Sequence, residues 1–331
     1  MVDLSPVLRT PLLDDLGCEV PILLAGMGGV SRHQLALAVA RAGGFGVLGM
    51  VREPVERIRT EVSAFQAQWS GQFGVNLIPA ATERALLKAQ VEACLSLRVP
   101  TMVLFWEVDQ ALVRHLKSEG IQVIHQVGSR HDADRALAAG VDMLIVQGHE
   151  AGGHVRGTTG TFTLLSQLAA ECSVPLVASG GIGSGQALVA ALALGAQGVS
   201  LGTAMLATHE ANAHRHHKQR VVQAVADETC YTTCFTRNWP EPAPVRVLRN
   251  AVVSGLHDDM IMDDVIGEQD GQPVYRFSTD SPLADATGQV DDMALYCGQS
   301  CGQLNDLCST EERIRQMLDE AHVCLERLES G

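Results

Sequence analysis

The sequence predicts an α/β protein with a (β/α)8 TIM barrel, a smaller C-terminal domain and a closing C-terminal helix. Two observations predict the barrel, namely eight short apolar runs and the stretches of helical periodicity that separate them. A third predicts the second domain, because about 125 residues follow the eighth run and connecting loops are far shorter. We place the barrel at 1–208, the smaller domain at 209–305 and the C-terminal helix at 306–331.

The predicted strands are rich in apolar and β-branched residues, as expected for the buried strands of a parallel sheet. They lie at 21–25, 46–50, 73–77, 102–106, 122–126, 143–147, 176–180 and 198–202. Helical periodicity is seen at 31–42, 82–97, 109–119, 132–139 and 185–194. Several of these helices end in Ala-Gly or Leu-Gly, where glycine can adopt the left-handed conformation that terminates a helix.

The region after the eighth strand begins with a polar, histidine-rich helix and becomes irregular and proline-rich at 238–244. The stretch 309–328 predicts an amphipathic helix that packs back on the barrel. Its apolar positions at helical spacing are Ile314, Met317, Leu318, His322 and Leu325.

Composition excludes several classes of protein. Lysine and arginine total 24 against 38 aspartates and glutamates, a net charge of −14 that would repel a nucleic acid backbone. No run is long and apolar enough to span a membrane, and the N-terminus lacks a secretory signal, so we expect a cytoplasmic protein. The nine cysteines are then expected to be reduced thiols. Homodimerisation is expected from the general frequency of dimers.

The carboxyl ends of the predicted strands carry glycines and uncharged amides, and in a barrel this end holds the reactive groups. Glycine pairs follow strands seven and eight, at Gly180–Gly181 and near Gly202, where barrels commonly bind a phosphate. Asn76, Gln126 and Gln147 could offer hydrogen bonds to the edge of a heterocycle. Together these features predict a flavin mononucleotide (FMN) across the barrel mouth.

Five segments in fixed order resemble the nitronate monooxygenase family, formerly called 2-nitropropane dioxygenases. They are 21–49, 73–77, 150–154, 178–182 and 191–204. The resemblance implies an FMN-dependent oxidoreductase that converts alkyl nitronates and O2 to carbonyl compounds and nitrite. The same superfamily includes flavin enoyl-acyl-carrier-protein reductases and NADH:quinone reductases, so an NAD(P)H-dependent FMN reductase of enoyl thioesters or quinones stays the alternative. A flavin-binding scaffold without turnover is disfavoured by the intact run from Glu150 to His154.

The resemblance also assigns roles to residues. It implies that His154 is the catalytic histidine, acting as a base or as a proton donor. The residues implied to bind FMN fall into a ring-contacting set and a phosphate-binding set. The ring set is Ala25, Gly26, Met27, Asn76, Gln126, Gln147, Gly152 and Gly153, and the phosphate set is Ser179, Gly180, Gly181, Gly202 and Thr203.

The chain departs from the family pattern at two places. Gly26 stands where many members have proline, which loosens the loop but removes no side-chain donor. Val155 is inserted after His154 and shifts Arg156 by one position, so the substrate pocket is expected to differ.

Other residues admit two interpretations each. We interpret His149 as a loop histidine at the rim, and Glu150 either as a flavin-side carboxylate or as an anchor of the glycine loop. We interpret one histidine-rich cluster as a solvated helix start, and its members are Glu210, His214, His216 and His217. We interpret four cysteines as packing residues and not as a four-thiolate site, and they are Cys230, Cys234, Cys297 and Cys301. No metal is therefore predicted. Tyr296 to Gln299 resembles a late family element that returns to the cofactor. Trp239 and its neighbouring prolines are interpreted as a surface connection and not as a lid.

Overall fold

The barrel is present in the computed structural model, which describes residues 4–256 and 263–330. The first nine strands are β1 Ile22–Leu24, β2 Val47–Gly49, β3 Gly74–Leu77, β4 Thr101–Leu104, β5 Gln122–Val127, β6 Met143–Gln147, β7 Gly153–His154, β8 Leu176–Ser179 and β9 Gly198–Leu201. All except β7 form one parallel sheet in the order β1-β9-β8-β6-β5-β4-β3-β2. A parallel bridge between Leu23 and Phe45 joins the two outer strands and closes the barrel. The predicted fold class and all eight predicted strands are confirmed.

Helices cover the outside of the barrel and continue into the C-terminal region. They are α1 Leu12–Leu16, α2 His33–Arg41, α3 Val55–Gln66, α4 Arg84–Ser96, α5 Gln110–Ser118, α6 Arg130–Ala139, α7 Thr161–Ala169, α8 Gly185–Ala193, α9 Thr203–Leu206, α10 Arg215–Gln223 and α11 Thr310–Ser330. The side chains of Ser129 and Ser184 accept hydrogen bonds from the first turns of α6 and α8. Gly140 ends α6 with φ +89°, as the Ala-Gly pattern predicts. Within the described chain, no helix has the length and apolarity needed to cross a bilayer.

The second region adds five strands and several 3-10 turns. The strands are β10 Thr229–Thr232, β11 Val245–Leu248, β12 Val265–Gln269, β13 Gln272–Tyr275 and β14 Thr287–Gly288. β12 pairs with β13 and β14, whereas β11 pairs with β10 on one edge and with β7 on the other. His154, in β7, lies opposite Val245 in β11. The loop after β6 is therefore held in place by a strand from the second region. The division into domains at 208 and 305 stays a prediction.

Helix α11 lies against the N-terminus of α8. Glu320 accepts a hydrogen bond from the Gly185 backbone N–H at 2.7 Å, and a Cβ at Gly185 would come within 2.2 Å of the α11 backbone. The predicted apolar face is confirmed at Ile314, Met317, Leu318 and Leu325, which are buried. The prediction is wrong for His322, whose side chain is 58% exposed beside Glu326. Ala321 and Cys324 are the buried residues in that turn.

Two buried histidines predict that the free energy of unfolding falls at acidic pH. Burial lowers the pKa of both His125 and His217 to about 4. The unfolded chain then binds more protons than the folded chain as the pH falls from about 6.5 towards 4, so the free energy of unfolding should fall in that window. We expect a loss of about 2 kcal/mol for each histidine between pH 7.5 and 5 in urea unfolding.

The matched variants separate this effect from general acid sensitivity. The loss should shrink in His125→Gln and stay unchanged in the exposed His322→Gln. An equal loss in the two variants would contradict the assignment.

Candidate active site

A single cavity of about 550 Å³ lies at the carboxyl ends of the barrel strands. His154 and all thirteen residues predicted to bind the cofactor line it. These residues come from six strand ends that are far apart in sequence and meet only because the strands are parallel. Polar and aromatic residues outside the predicted set also line the cavity, and five of them matter most for the site. They are Arg52, Trp239, Ser200, Ser281 and Tyr296.

One end of the cavity is a cradle of glycines with left-handed backbone. Gly180 has φ +101° and Gly181 has φ +72°. A Cβ at Gly180 would lie 3.0 Å from the backbone nitrogen of Ala151, a tighter approach than ordinary packing allows. Thr161 Oγ1 donates to the Gly180 carbonyl at 2.9 Å and fixes the turn. The backbone here can approach a bound group closely, as the phosphate prediction requires.

The neighbouring wall is formed by Gly26 and Asn76. The Asn76 side chain donates to the Val103 carbonyl at 3.0 Å, while its Oδ1 is buried without a partner. A Cβ at position 26 would lie 2.3 Å from the Asn76 Cβ. Glycine at position 26 is therefore required by this placement of Asn76, which explains the departure from the family pattern.

The loop after β6 is organised by its own side chains. Gln147 Nε2 donates to the His154 carbonyl at 2.8 Å, and its Oε1 accepts from the Arg156 backbone N–H at 3.1 Å. Glu150 accepts from the backbone N–H of Thr161 at 3.0 Å, so the structure supports its role as an anchor of the loop. Val155 is fully buried and donates its N–H to the Pro244 carbonyl.

The inserted Val155 directs Arg156 away from the cavity. The Arg156 guanidinium lies 5.2 Å from the centroid of the Trp106 ring and 3.5 Å from the Asp132 carboxylate. The Arg156 side chain therefore packs against Trp106, one of the aromatic residues around His154, and does not line the cavity.

His154 is enclosed by aromatic rings. Trp239 stacks on it with ring centroids 3.3 Å apart and planes within 9° of each other. Trp106 meets the same imidazole edge-on at 5.9 Å, and Tyr296 lies at the same distance. The interpretation of Trp239 as part of a surface connection is wrong, because the ring is 8% exposed and forms a wall of the site. The resemblance of the Tyr296 segment to a cofactor-proximal element agrees with this position.

The hydrogen bonds around His154 determine its tautomer. The Tyr296 hydroxyl donates its one proton to the Thr279 carbonyl at 2.6 Å. It can therefore only accept from His154 Nε2, which lies 3.4 Å away. In a neutral ring with the proton on Nε2, Nδ1 carries the lone pair, and Nδ1 is buried without a hydrogen-bond partner. His154 Nδ1 is thus a buried basic nitrogen whose lone pair has no partner in the protein.

The surroundings keep this imidazole uncharged. Burial, with a smaller contribution from the Arg52 guanidinium, lowers the pKa of His154 well below its usual range. A neutral histidine can accept a proton, whereas an imidazolium cannot.

Backbone strain is concentrated at the cavity. Among the described residues, five that are not glycine have positive φ, and Arg52, Trp106, Asn238 and Asp270 are four of them. Arg52, Asn238 and Asp270 line the cavity, and Trp106 contacts His154. Such conformations persist when the surrounding contacts enforce them, and they cluster at functional sites.

The remaining candidates lie outside the cavity. His149 packs on Tyr231 at 4.5 Å between ring centroids, and Glu210 accepts hydrogen bonds from Thr310 at the start of α11. His217 is fully buried, and its Nε2 donates to the Tyr296 backbone carbonyl at 2.9 Å, so the ring carries a proton on Nε2. Within 4–256 and 263–330, no three His, Cys, Asp or Glu side chains are arranged to hold a metal ion.

Sequence reasoning missed Arg52, Trp106 and Ser200 for different reasons. Arg52 and Trp106 follow strands β2 and β4, so the rule that directs attention to strand ends could have found them. Ser200 lies inside β9 and carries no distinguishing signal.

Comparisons with known proteins agree with this geometry. The profile of the nitronate monooxygenase family matches residues 9–320. A Mycobacterium tuberculosis protein named (3aS,4S,5R,7aS)-5-hydroxy-7a-methyl-1-oxo-octahydro-1H-indene-4-carboxyl-CoA dehydrogenase is 34% identical, covering 95% of this chain and 96% of its own length. A nitronate monooxygenase of Paraburkholderia phytofirmans is 33% identical, covering 69% of this chain and 74% of its own length. The structure of FabK from Thermotoga maritima matches with a TM-score of 0.83 and 27% identity, covering 97% of this chain and 99% of FabK.

The barrel and the polar cavity at its carboxyl end define an enzyme, and its relatives make it an oxidoreductase. The chain belongs to the nitronate monooxygenase family.

Proposed function

We propose that the cavity binds FMN. In addition to His154 Nδ1, four buried polar atoms of residues that line the cavity have no hydrogen-bond partner in the protein. They are Asn76 Oδ1, Ser200 Oγ, Trp239 Nε1 and Ser281 Oγ. Unpaired buried polar atoms are costly, so several around one cavity favour a polar ligand that completes their hydrogen bonds. The glycine cradle at 180–181 would hold the phosphate, and Asn76, Gln126 and Gly26 would face the ring system. FMN would supply electron transfer to and from the substrate.

We propose further that the enzyme oxidises alkyl nitronates with O2 to carbonyl compounds and nitrite. The observation that carries this proposal is His154 Nδ1, a buried basic nitrogen without a partner in the cavity wall. Nδ1 would accept the α-proton of a nitroalkane and, carrying that proton, would hydrogen-bond to the nitronate that forms. Trp239 and Trp106 would exclude water from the ring, and the Nε2 contact with Tyr296 would fix its orientation. Cytoplasmic residence and homodimerisation stay predictions.

A second candidate is an oxidoreductase of acyl thioesters. The observation that favours it is the M. tuberculosis relative, which matches along nearly the whole of both chains and is named for a CoA thioester. The cavity wall also includes an apolar surface made by Ile78, Phe105 and Trp239, which could accommodate a carbon skeleton. In this reaction the flavin would exchange electrons with the thioester or with a nicotinamide.

Anaerobic stopped-flow absorbance distinguishes the two candidates. The flavin-loaded protein is mixed separately with propionate 3-nitronate, with NADH or NADPH, and with an acyl-CoA. We expect rapid bleaching of the oxidised flavin band by the nitronate and none by the nicotinamides. Rapid bleaching by a nicotinamide or acyl-CoA, with an inert nitronate, would overturn the nitronate proposal in favour of the thioester candidate.

A further inference from the structure

Arg52 connects the barrel to two segments of the second region, one that carries Trp239 and one that contacts Tyr296. It follows β2, and its backbone has φ +57°. Its Nη1 donates to the carbonyl of Asn238, the residue before Trp239. The same nitrogen lies 3.3 Å from Thr279 Oγ1, and the Thr279 carbonyl accepts the Tyr296 hydroxyl proton. One guanidinium therefore contacts the segment that carries the stacked ring of Trp239 and the residue that accepts the hydroxyl proton of Tyr296.

Arg52 is also the one lysine or arginine among the described residues that line the cavity. Its Nη2 donates to Asp280 Oδ1 at 2.9 Å, and the two side chains are 25% and 36% exposed. The other ionisable groups around His154 are Tyr296, whose hydroxyl donates to Thr279, and Arg156, which lies against Asp132 and Trp106. Glu53 and Asp270 also line the cavity, and both are paired with Arg32. Arg52 is therefore the charged group that acts most directly on His154, and its ion pair with Asp280 offsets part of its charge.

We propose that Arg52 is a positioning residue that holds Trp239 and Tyr296 against His154, and that its charge adds to the effect of burial in disfavouring the protonated imidazole. The catalytic use of His154 in this inference rests on the proposed function. The arrangement of Arg52, Trp239 and Tyr296 around it rests on the contacts described above. A left-handed, non-glycine residue at this position is consistent with such a role, because the strain is maintained by the contacts that the side chain makes.

The test measures protonation of His154 directly. Holoprotein labelled with ¹⁵N at histidine is titrated by NMR of the imidazole nitrogens, with His154→Gln to assign the signal. In the wild type His154 is expected to stay neutral as the pH falls through the ordinary histidine pKa, because burial lowers its own pKa well below that range. In Arg52→Gln the guanidinium is gone and Asp280 is unpaired, so His154 should begin to titrate at a higher pH than in the wild type. In Asp280→Asn the arginine charge is uncompensated, so His154 should stay neutral as in the wild type.

The opposite effects of the two variants separate charge from loss of structure. If both variants raise the pH at which His154 titrates, loosening of the site explains the result and the proposal is wrong. If Arg52→Gln titrates as the wild type does, Arg52 does not act on the ring and the proposal is also wrong. Arg52→Gly provides a second variant whose backbone favours φ +57°, so the titration remains measurable if the glutamine variant folds poorly.

Turnover supplies a second readout. Arg52→Gln and Arg52→Lys are each expected to lower kcat/KM for nitronate about 10- to 100-fold, because neither side chain reproduces the contacts that place Trp239 and Tyr296. The lysine variant should retain the neutral His154, since it retains the charge. Because the NMR titration needs no turnover, a protein that fails to oxidise nitronates would overturn the proposed function while leaving the assignment of Arg52 intact.

Discussion

Replacing His154 with alanine is expected to lower kcat/KM for a neutral nitroalkane about 10²- to 10⁴-fold, the range that a positioned general base contributes. The fall should be much smaller with the corresponding preformed nitronate, since that substrate has already lost the α-proton. Nitroethane and ethyl nitronate form a suitable pair, measured by oxygen consumption with the flavin content of each preparation determined. Added imidazole should restore part of the nitroalkane activity, because the deletion leaves space beside Trp239.

His149 gives the matched control for this experiment. It lies in the same loop, five positions before His154, and packs on Tyr231 outside the cavity. His149→Ala should change either rate by less than about threefold, as expected for a substitution away from the reacting groups. An equal loss of both substrates in His154→Ala would contradict a role in proton abstraction and indicate that the histidine only shapes the site.

Replacing Gly180 with alanine is expected to weaken FMN binding about 100-fold, equivalent to about 2.7 kcal/mol. The residue has φ +101°, a conformation that L side chains rarely adopt. The new Cβ would also lie 3.0 Å from the Ala151 nitrogen and 3.1 Å from Thr161 Oγ1. The turn must therefore shift, and the backbone that faces the proposed phosphate shifts with it. Fluorescence titration of apoprotein with FMN measures the affinity.

Gly140→Ala isolates the cost of backbone strain. Gly140 has φ +89° at the end of α6, and a Cβ there would meet no atom within 4 Å. We expect this variant to lose about 1 kcal/mol of stability and to bind FMN normally. If Gly180→Ala also bound FMN normally, the cradle would not be the phosphate site.

The sequence by itself predicted where the cavity lies and fourteen of the residues that line it. Strand and helix periods are local properties, and parallel strands bring their carboxyl ends to one edge whatever the details of packing. Residues as distant as Ala25 and Thr203 could therefore be assigned to one site. The incorrect placement of His322 on the apolar face shows the limit of periodicity. Helical spacing alone does not determine whether a residue of α11 packs against the barrel or faces solvent, and His322 faces solvent.

Only the tertiary structure decided what surrounds His154. Its hydroxyl partner Tyr296 is 142 positions away, and Arg52 lies 186 positions from the carbonyl that it holds. The pairing of β7 with β11 brings these segments together, and no local pattern specifies that pairing. Chemistry at a strand end can be predicted from residue type. The tautomer, the stacked tryptophan and the charge balance depend on long-range contacts, which form only when the second region packs over the barrel.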